Sequence, residues 1–162
     1  MENLLDRVTF QAAGLGTIAG MRTMLAPAVV SHFLSKNPSV SLNDSKLAFI
    51  QSPAIAGVTK VLSVAELGGD KLPQIGNRTS LPQTLARVAS GSLVGAIIYK
   101  ANNKNMGQGL IIGGVSALAA TFVSFYARKY LRDLLSDNDA VAGLLEDGVA
   151  IAGGIGWMSY EI

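Results

Sequence analysis

Charged side chains interrupt three otherwise apolar stretches of this chain. Arg22 lies within GLGTIAGMRTMLAPAVV, Glu66 lies where VLSVAELGGDKLPQIGNR turns polar, and Glu146 lies within GLLEDGVAIAGG. A charge inside a segment of membrane-spanning length is costly unless an opposite charge, a backbone carbonyl or water accompanies it. These interruptions therefore predict a polar functional site, although they do not name its ligand.

The predicted site gathers nine ionisable residues, with Arg22 deepest. An arginine near the bilayer centre costs roughly 2.5 to 3.5 kcal/mol, so it needs a partner, and we expect Glu66 or Glu146. Two interpretations stay open: the charges lock the helices together as structural ion pairs, or they form a path or binding site for a small ion or polar solute. The nine residues are Arg22, Glu66, Asp70, Lys71, Arg78, Arg87, Arg128, Glu146 and Asp147.

Catalytic and cofactor chemistry finds little support in the sequence. His32 is the only histidine and stands apart from any serine and carboxylate arrangement, and the chain has no cysteine. Glu66 and Asp70, four residues apart, could serve as acid and base or bind a hard cation, but no DxD or EF-hand pattern fixes that geometry. No phosphate loop, dinucleotide fingerprint or nucleophile elbow is present. We expect no enzyme, no metal and no cofactor.

Composition indicates one integral membrane domain over residues 1–162. The chain is 49% hydrophobic and 15% charged, with 18 glycines and a mean hydropathy of +0.39. Soluble domains average roughly 25% charged residues. A net charge of +2 is too weak and too scattered to predict binding to nucleic acid. The expected partner is therefore a lipid bilayer.

The predicted fold is an all-α, polytopic transmembrane bundle of about five spans. A span needs about 20 mostly apolar residues, and polar, turn-forming connections separate the candidates. The third candidate is the weakest because Arg87 lies near its start, so four spans remain an alternative. The five segments are Thr9–Phe33, Leu47–Leu67, Pro82–Tyr99, Gly107–Tyr130 and Ala140–Met158.

Flanking Lys and Arg residues predict the orientation in a multi-pass inner-membrane protein. Seven would lie on the side of the N-terminus and four on the other, which places the N-terminus inside and, with five spans, the C-terminus outside. Glu2 and Asp6 argue against a cleaved signal peptide. The seven are Arg7, Lys71, Arg78, Arg87, Arg128, Lys129 and Arg132; the four are Lys36, Lys46, Lys100 and Lys104.

Small residues four apart predict close helix contacts. Tight packing within one fold is favoured over a dedicated dimerisation face, although a homo-oligomer, most simply a dimer, is expected. Pro27 and Pro53 lie inside predicted spans and can kink or break them. The placement of arginines and carboxylates also permits a weak inverted repeat. The small residues are Gly16, Gly20, Gly91, Gly95, Gly109, Gly113 and Ala117.

Four motifs together resemble domain of unknown function 4126, a prokaryotic membrane family: GMRTMLAPA, ELGGDKLPQIGNRT, ARVASGSLVGA and LLEDGVAI. The resemblance covers nearly the whole chain and implies a small integral membrane protein. Beside it, the charges themselves favour movement of a small ion or polar solute, with a non-transporting scaffold as the alternative. The matching positions are Arg22, Glu66, Asp70, Lys71, Pro73, Arg78, Arg87, Glu146 and Asp147.

Overall fold

The computed structural model describes residues 2–69, 80–134 and 139–159. Over these ranges the chain forms α-helices and one 3-10 turn, Ala48–Gln51, and no strand, so the all-α prediction is confirmed. The helices are α1 (Glu2–Met21), α2 (Leu25–Lys36), α3 (Val40–Asn43), α4 (Pro53–Gly69), α5 (Leu81–Ala101), α6 (Met106–Leu134) and α7 (Asp139–Ser159).

Prolines mark helix starts in this chain. Pro53 is the first residue of α4 and Pro82 is the second of α5. Pro27 lies in the first turn of α2. Proline is tolerated in a first turn because the backbone N–H that it lacks has no partner within the helix there. The second predicted span therefore does not start as one helix at Leu47, and its helix begins at Pro53 after the 3-10 turn.

The first predicted span, Thr9–Phe33, folds back on itself. α1 ends at Met21 and α2 starts at Leu25. A Cβ added at Gly154 of α7 would contact both Ile18 and Val29, one on each side of this break. Farther from the break, Gln11 of α1 and Leu34 of α2 line one cavity. Residues at equal distances from the break are thus neighbours, so α2 runs antiparallel to α1.

Because α1 and α2 form a hairpin and not one continuous span, the ends of the helices meet differently from the predicted bundle. The hydroxyl oxygens of Thr9 in α1 and Tyr99 at the end of α5 are 2.7 Å apart. Nε2 of Gln11 donates to the carbonyl oxygen of Trp157, near the end of α7, at 3.2 Å. The start of α1 and the ends of α5 and α7 therefore share one end of the bundle. Five straight crossings would instead place the first and last helices' outer ends at opposite ends of the bundle, and the hairpin of α1 and α2 accounts for the difference.

Small residues bring α6 into backbone contact with α1 and α5. A Cβ added at Gly95 would strike the carbonyl oxygen of Gly109. One added at Gly16 would lie 2.5 Å from the carbonyl oxygen of Gly113, and one at Gly20 would strike that of Ala117. Real Cβ atoms essentially never approach so closely. The stripes of small residues therefore pack helices within one chain, as predicted.

One stretch among the described residues is long and apolar enough to cross a membrane by length and composition. It is Met106–Leu131 of α6, whose most apolar window has a mean hydropathy of 1.9. Only 28% of its most apolar window is buried inside the protein, so most of the window faces outward. A core helix of a soluble protein would be mostly buried.

Candidate functional site

The break between α1 and α2 leaves two backbone N–H groups without helical partners. Arg22 still donates to the carbonyl oxygen of Ile18, at 2.8 Å, as the last helical bond of α1. The N–H groups of Thr23 and Met24 instead donate to Oε1 and Oε2 of Glu66 in α4, each at 2.8 Å. A carboxylate at a helix N-terminus is favourable because exposed N–H groups and the helix dipole both attract negative charge.

Carbonyl groups at the break are bound by hydroxyl side chains. Pro27 has no N–H, so it cannot donate to the Thr23 carbonyl four residues earlier. Ser90 of α5 donates to that carbonyl oxygen instead, at 2.5 Å. On the α1 side, Thr121 of α6 lies 3.2 Å from the Gly20 carbonyl oxygen and 2.8 Å from its own helix's Ala117 carbonyl, and its single proton serves both.

Arg22 itself is held by Asp147 of α7. Its Nε donates to Oδ1 of Asp147 at 2.8 Å, and Nη2 contacts the same oxygen. The arginine side chain is 3% exposed and the aspartate 15%. Each helix from α4 to α7 therefore contributes one polar side chain to the break. We call this group the break site: Arg22, Thr23, Met24, Glu66, Ser90, Thr121 and Asp147.

The break site lies at the middle of the long helices. Ser90 is near the middle of α5, Thr121 near the middle of α6 and Asp147 near the middle of α7. Glu66 lies in the last turn of α4. The hairpin of α1 and α2 thus brings its tip, and one buried arginine, halfway along the bundle.

The predicted partners of Arg22 need correction. Asp147 is a carboxylate that contacts Arg22, whereas Glu66 binds backbone N–H groups and Glu146 contacts Arg128 of α6. Oε2 of Glu146 lies 3.4 Å from Nη1 of Arg128, with side chains 7% and 16% exposed. This second pair borders a cavity of about 200 Å3 whose other walls are mainly apolar.

The structure therefore divides the nine predicted site residues into separate places. Arg22, Glu66 and Asp147 meet at the break site, and Arg128 and Glu146 form the second pair. Arg87 is 5% exposed and lies one turn before Ser90 in α5. The predicted residues Asp70, Lys71 and Arg78 lie outside the described residues.

Ser90 and Thr121 were not predicted. Hydroxyl side chains are common in apolar helices, where they usually bond to their own backbone. One signal was available: Pro27 lies four residues after Thr23 and must leave that carbonyl without its helical donor. Another donor, from a side chain or from water, must then bind this carbonyl, and the sequence does not say which one.

The break site is a set of anion-binding groups that carboxylates of the protein itself already bind. Two N–H groups and the nearby Arg22 attract negative charge, and Glu66 and Asp147 supply it. Another anion could use the same N–H groups once Glu66 has moved away, whereas a proton or cation would act on the carboxylates. In the described part of the chain, no group of three His, Asp or Glu side chains is placed to hold a metal ion.

Comparisons with known proteins give a single finding. The model of a domain of unknown function family (DUF4126) matches residues 9–158, so the chain belongs to that family. The match includes every residue of the break site. No curated protein and no solved structure matches the chain.

Proposed function

We propose that this DUF4126 member is a small multi-pass protein of the inner membrane that moves a small ion or polar solute through the break site. The outward faces support a membrane setting, because large apolar side chains there are well exposed. Examples are Val61 (69%), Val64 (67%), Ile111 (63%), Val123 (68%) and Val149 (64%). An exposed apolar surface that extends over several helices marks contact with lipid or with another protein.

In this arrangement α5, α6 and α7 cross the bilayer, and α1 with α2 forms a re-entrant hairpin. Of the five predicted spans, the first thus enters and returns on one side. Non-helical backbone at membrane depth is tolerated where protein groups bind it or where it lines a water-filled cavity. Here Glu66, Ser90 and Thr121 bind the backbone at the break. Many transporters place solute sites at such interrupted helices near the midplane.

One observation carries the proposal: a buried arginine and a helix break meet carboxylates from two helices at the middle of the bundle. Movement of Glu66 away from the Thr23 and Met24 N–H groups would expose those donors to a solute. Movement of Asp147 would likewise remove one carboxylate from Arg22. An anion would pass by replacing a carboxylate contact, whereas a proton or cation would pass by binding the carboxylates themselves, and in either case the contact would reform behind it.

A non-transporting scaffold is the second candidate. The observation in its favour is that Glu66, Ser90, Thr121 and Asp147 each already bind a group at the break. A satisfied network of this kind can specify one helix arrangement without moving anything. In both cases a homodimer that covers part of the exposed apolar surface is the simplest assembly.

Reconstitution into vesicles separates the two candidates. We expect the purified chain to dissipate at least one imposed gradient of protons, sodium, potassium, chloride or a small carboxylate. The combined variant Arg22→Met, Asp147→Asn should lose this flux while it remains folded. The matched control Arg128→Met, Glu146→Gln alters the other pair and should retain it. Silence of the wild-type chain across all gradients would favour the scaffold.

The membrane arrangement has its own test. The chain has no cysteine, so single cysteines report without background labelling. Cysteines at Arg7, before the hairpin tip, and at Gln108, in the first turns of α6, should be labelled from the same side. A cysteine at Ser80, before α5, should be labelled from the other side. Labelling of Arg7 and Gln108 positions from opposite sides would mean that the hairpin does not exist in the membrane.

A further inference from the structure

The cavity beside the second pair, Arg128 and Glu146, lies between the later half of α6, the first half of α7 and the end of α1. Its volume is about 200 Å3. On α6 it extends from Ser124 to Leu131, about 10 Å along the helix axis. A cavity of about 150 Å3 with apolar walls already admits a benzene molecule. The space is therefore large enough for part of an organic molecule.

The accessible wall of this cavity is almost wholly apolar. Where polar side chains border it, their polar groups already bind within the protein: Nη1 of Arg128 lies 3.4 Å from Oε2 of Glu146, and Ser124 donates to the Thr121 carbonyl oxygen at 3.2 Å. A water molecule in a cavity needs two to four polar partners, and apolar cavities of this size stay dry. Hydrocarbon therefore suits this space better than water or a polar solute.

The α7 side of the cavity is open to the surroundings. Leu145 and Val149 both line it, and they are 52% and 64% exposed. In the proposed membrane arrangement these side chains face lipid. At the same level of α6, Tyr126 and Tyr130 are also well exposed. Exposed tyrosines favour the headgroup level of a bilayer, so lipid chains that start at this level would run past the opening.

We propose that this cavity binds an acyl chain of a bilayer phospholipid. The chain packs against Leu131, Leu145 and Val149, and it reaches Met21, the last residue of α1 before the break. Its binding is favourable because an unfilled apolar wall forfeits dispersion contacts that hydrocarbon restores. The inference rests on the membrane setting of the proposed function and is independent of transport.

Methyl NMR on the full chain in phospholipid nanodiscs tests the proposal. The chain is deuterated except at its methionine and valine methyl groups, so a nuclear Overhauser effect to an acyl proton reports a direct contact. Met21 reports on the cavity, Val123 on the outward surface and Val30 on the interior. We expect acyl contacts at Met21 and Val123 and none at Val30.

Deuterated lipid chains identify the source of the Met21 contact. In a mixture of labelled and unlabelled protein, the contact should vanish when the acyl chains of the lipid are deuterated. A contact that survives would come from a second copy of the protein and would overturn the proposal. A contact of Met21 with water in place of acyl protons would overturn it as well.

Substitutions within α6 test whether the chain occupies the cavity. Ala127→Leu fills part of it and should weaken the acyl contact of Met21 at least threefold, while the contact of Val123 is unchanged. The matched control is Ala119→Leu, which adds the same side chain at an exposed position two turns earlier and should alter neither contact. If Ala127→Leu does not fold, Ser124→Leu is the second cavity-filling variant. A Met21 contact of full strength in the cavity-filling variants would overturn the proposal.

The two labelled surfaces separate failure of this inference from failure of the membrane setting. Acyl contacts at Val123 without any at Met21 would overturn the cavity proposal and leave the membrane setting intact. Their absence at both positions would overturn both. The measurement needs no flux, so vesicles that are silent in the transport assay do not change its outcome.

Discussion

Removal of the charge at Arg22 or Asp147 should destabilise the protein in a coupled way. Arg22 is 3% exposed, and Asp147 binds it through Nε at 2.8 Å. Loss of one member of a buried pair typically costs 3 to 5 kcal/mol, because the other charge stays desolvated. Asp147 is 15% exposed, so water relieves part of this cost. We expect about 3 kcal/mol for Asp147→Asn and about 2 kcal/mol for Arg22→Met.

The double variant should be much less unstable than the sum of the two single variants. Once Arg22 is methionine, Asp147 no longer compensates a buried cation, so its replacement by asparagine adds little. The expected coupling is roughly 1.5 to 3 kcal/mol, as for residues in direct contact. Chemical unfolding in detergent, followed by the signal of Trp157, measures each free energy.

A second cycle supplies the control. Glu146 is adjacent to Asp147 in sequence but faces Arg128 instead of Arg22. Arg22→Met combined with Glu146→Gln should therefore be additive within about 0.5 kcal/mol. Additivity between Arg22 and Asp147, together with strong coupling between Arg22 and Glu146, would refute the observed pairing and restore the partner predicted from sequence.

Two further pairs of substitutions test the backbone contacts. Ser90→Ala should cost about 1 to 3 kcal/mol because the Thr23 carbonyl loses its donor, and Pro27→Ala in the same chain should recover part of this by restoring an N–H four residues on. Thermal unfolding of the single and double variants measures this recovery. A double variant no more stable than Ser90→Ala alone would contradict the prediction. Gly95→Ala should destabilise by about 1 to 3 kcal/mol through its clash with α6, whereas Gly57→Ala, which meets no atom within 4 Å, should stabilise by about 0.5 to 1 kcal/mol. Equal effects of these two alanines would contradict the helix contact.

The later helices were predictable because their sequences are locally consistent. The regions of α5, α6 and α7 are apolar runs bounded by turn-forming residues such as the Asn-rich segment before α6. The hairpin of α1 and α2 was not predictable in the same way. Its tip, Arg22 to Met24, contains neither glycine nor asparagine, and Pro27 alone indicates a kink as readily as a reversal. The contacts that hold the tip come from residues 42 to 125 positions away in sequence.

The sequence predicted which segments carry the charged residues of the candidate site, but it did not predict which residues contact one another. Charges in apolar surroundings correctly marked Arg22 and Glu66 as buried or partly buried groups that bind other helices. Glu66 or Glu146 was the predicted partner of Arg22, and the structure shows a contact with Asp147, which points about 100° away from Glu146 on α7. The position of α7 against α1 and α6 decides which carboxylate faces which arginine. The spacing of residues in the sequence does not predict that position.

The break has a consequence for how the bundle can move. An unbroken helix through this region would satisfy its own backbone, and its N–H and carbonyl groups would be indifferent to the neighbouring helices. Here the same groups depend on Glu66, Ser90 and Thr121, each from a different helix. A shift of α4, α5 or α6 therefore changes the hydrogen bonds at the break. A change in the backbone at the break likewise alters its hydrogen bonds to these three helices. A scaffold can use this dependence to fix one arrangement of the helices. Under the proposed transport function the same dependence has a second use, because a solute that displaced Glu66 from the Thr23 and Met24 N–H groups would also change how α4 contacts the hairpin.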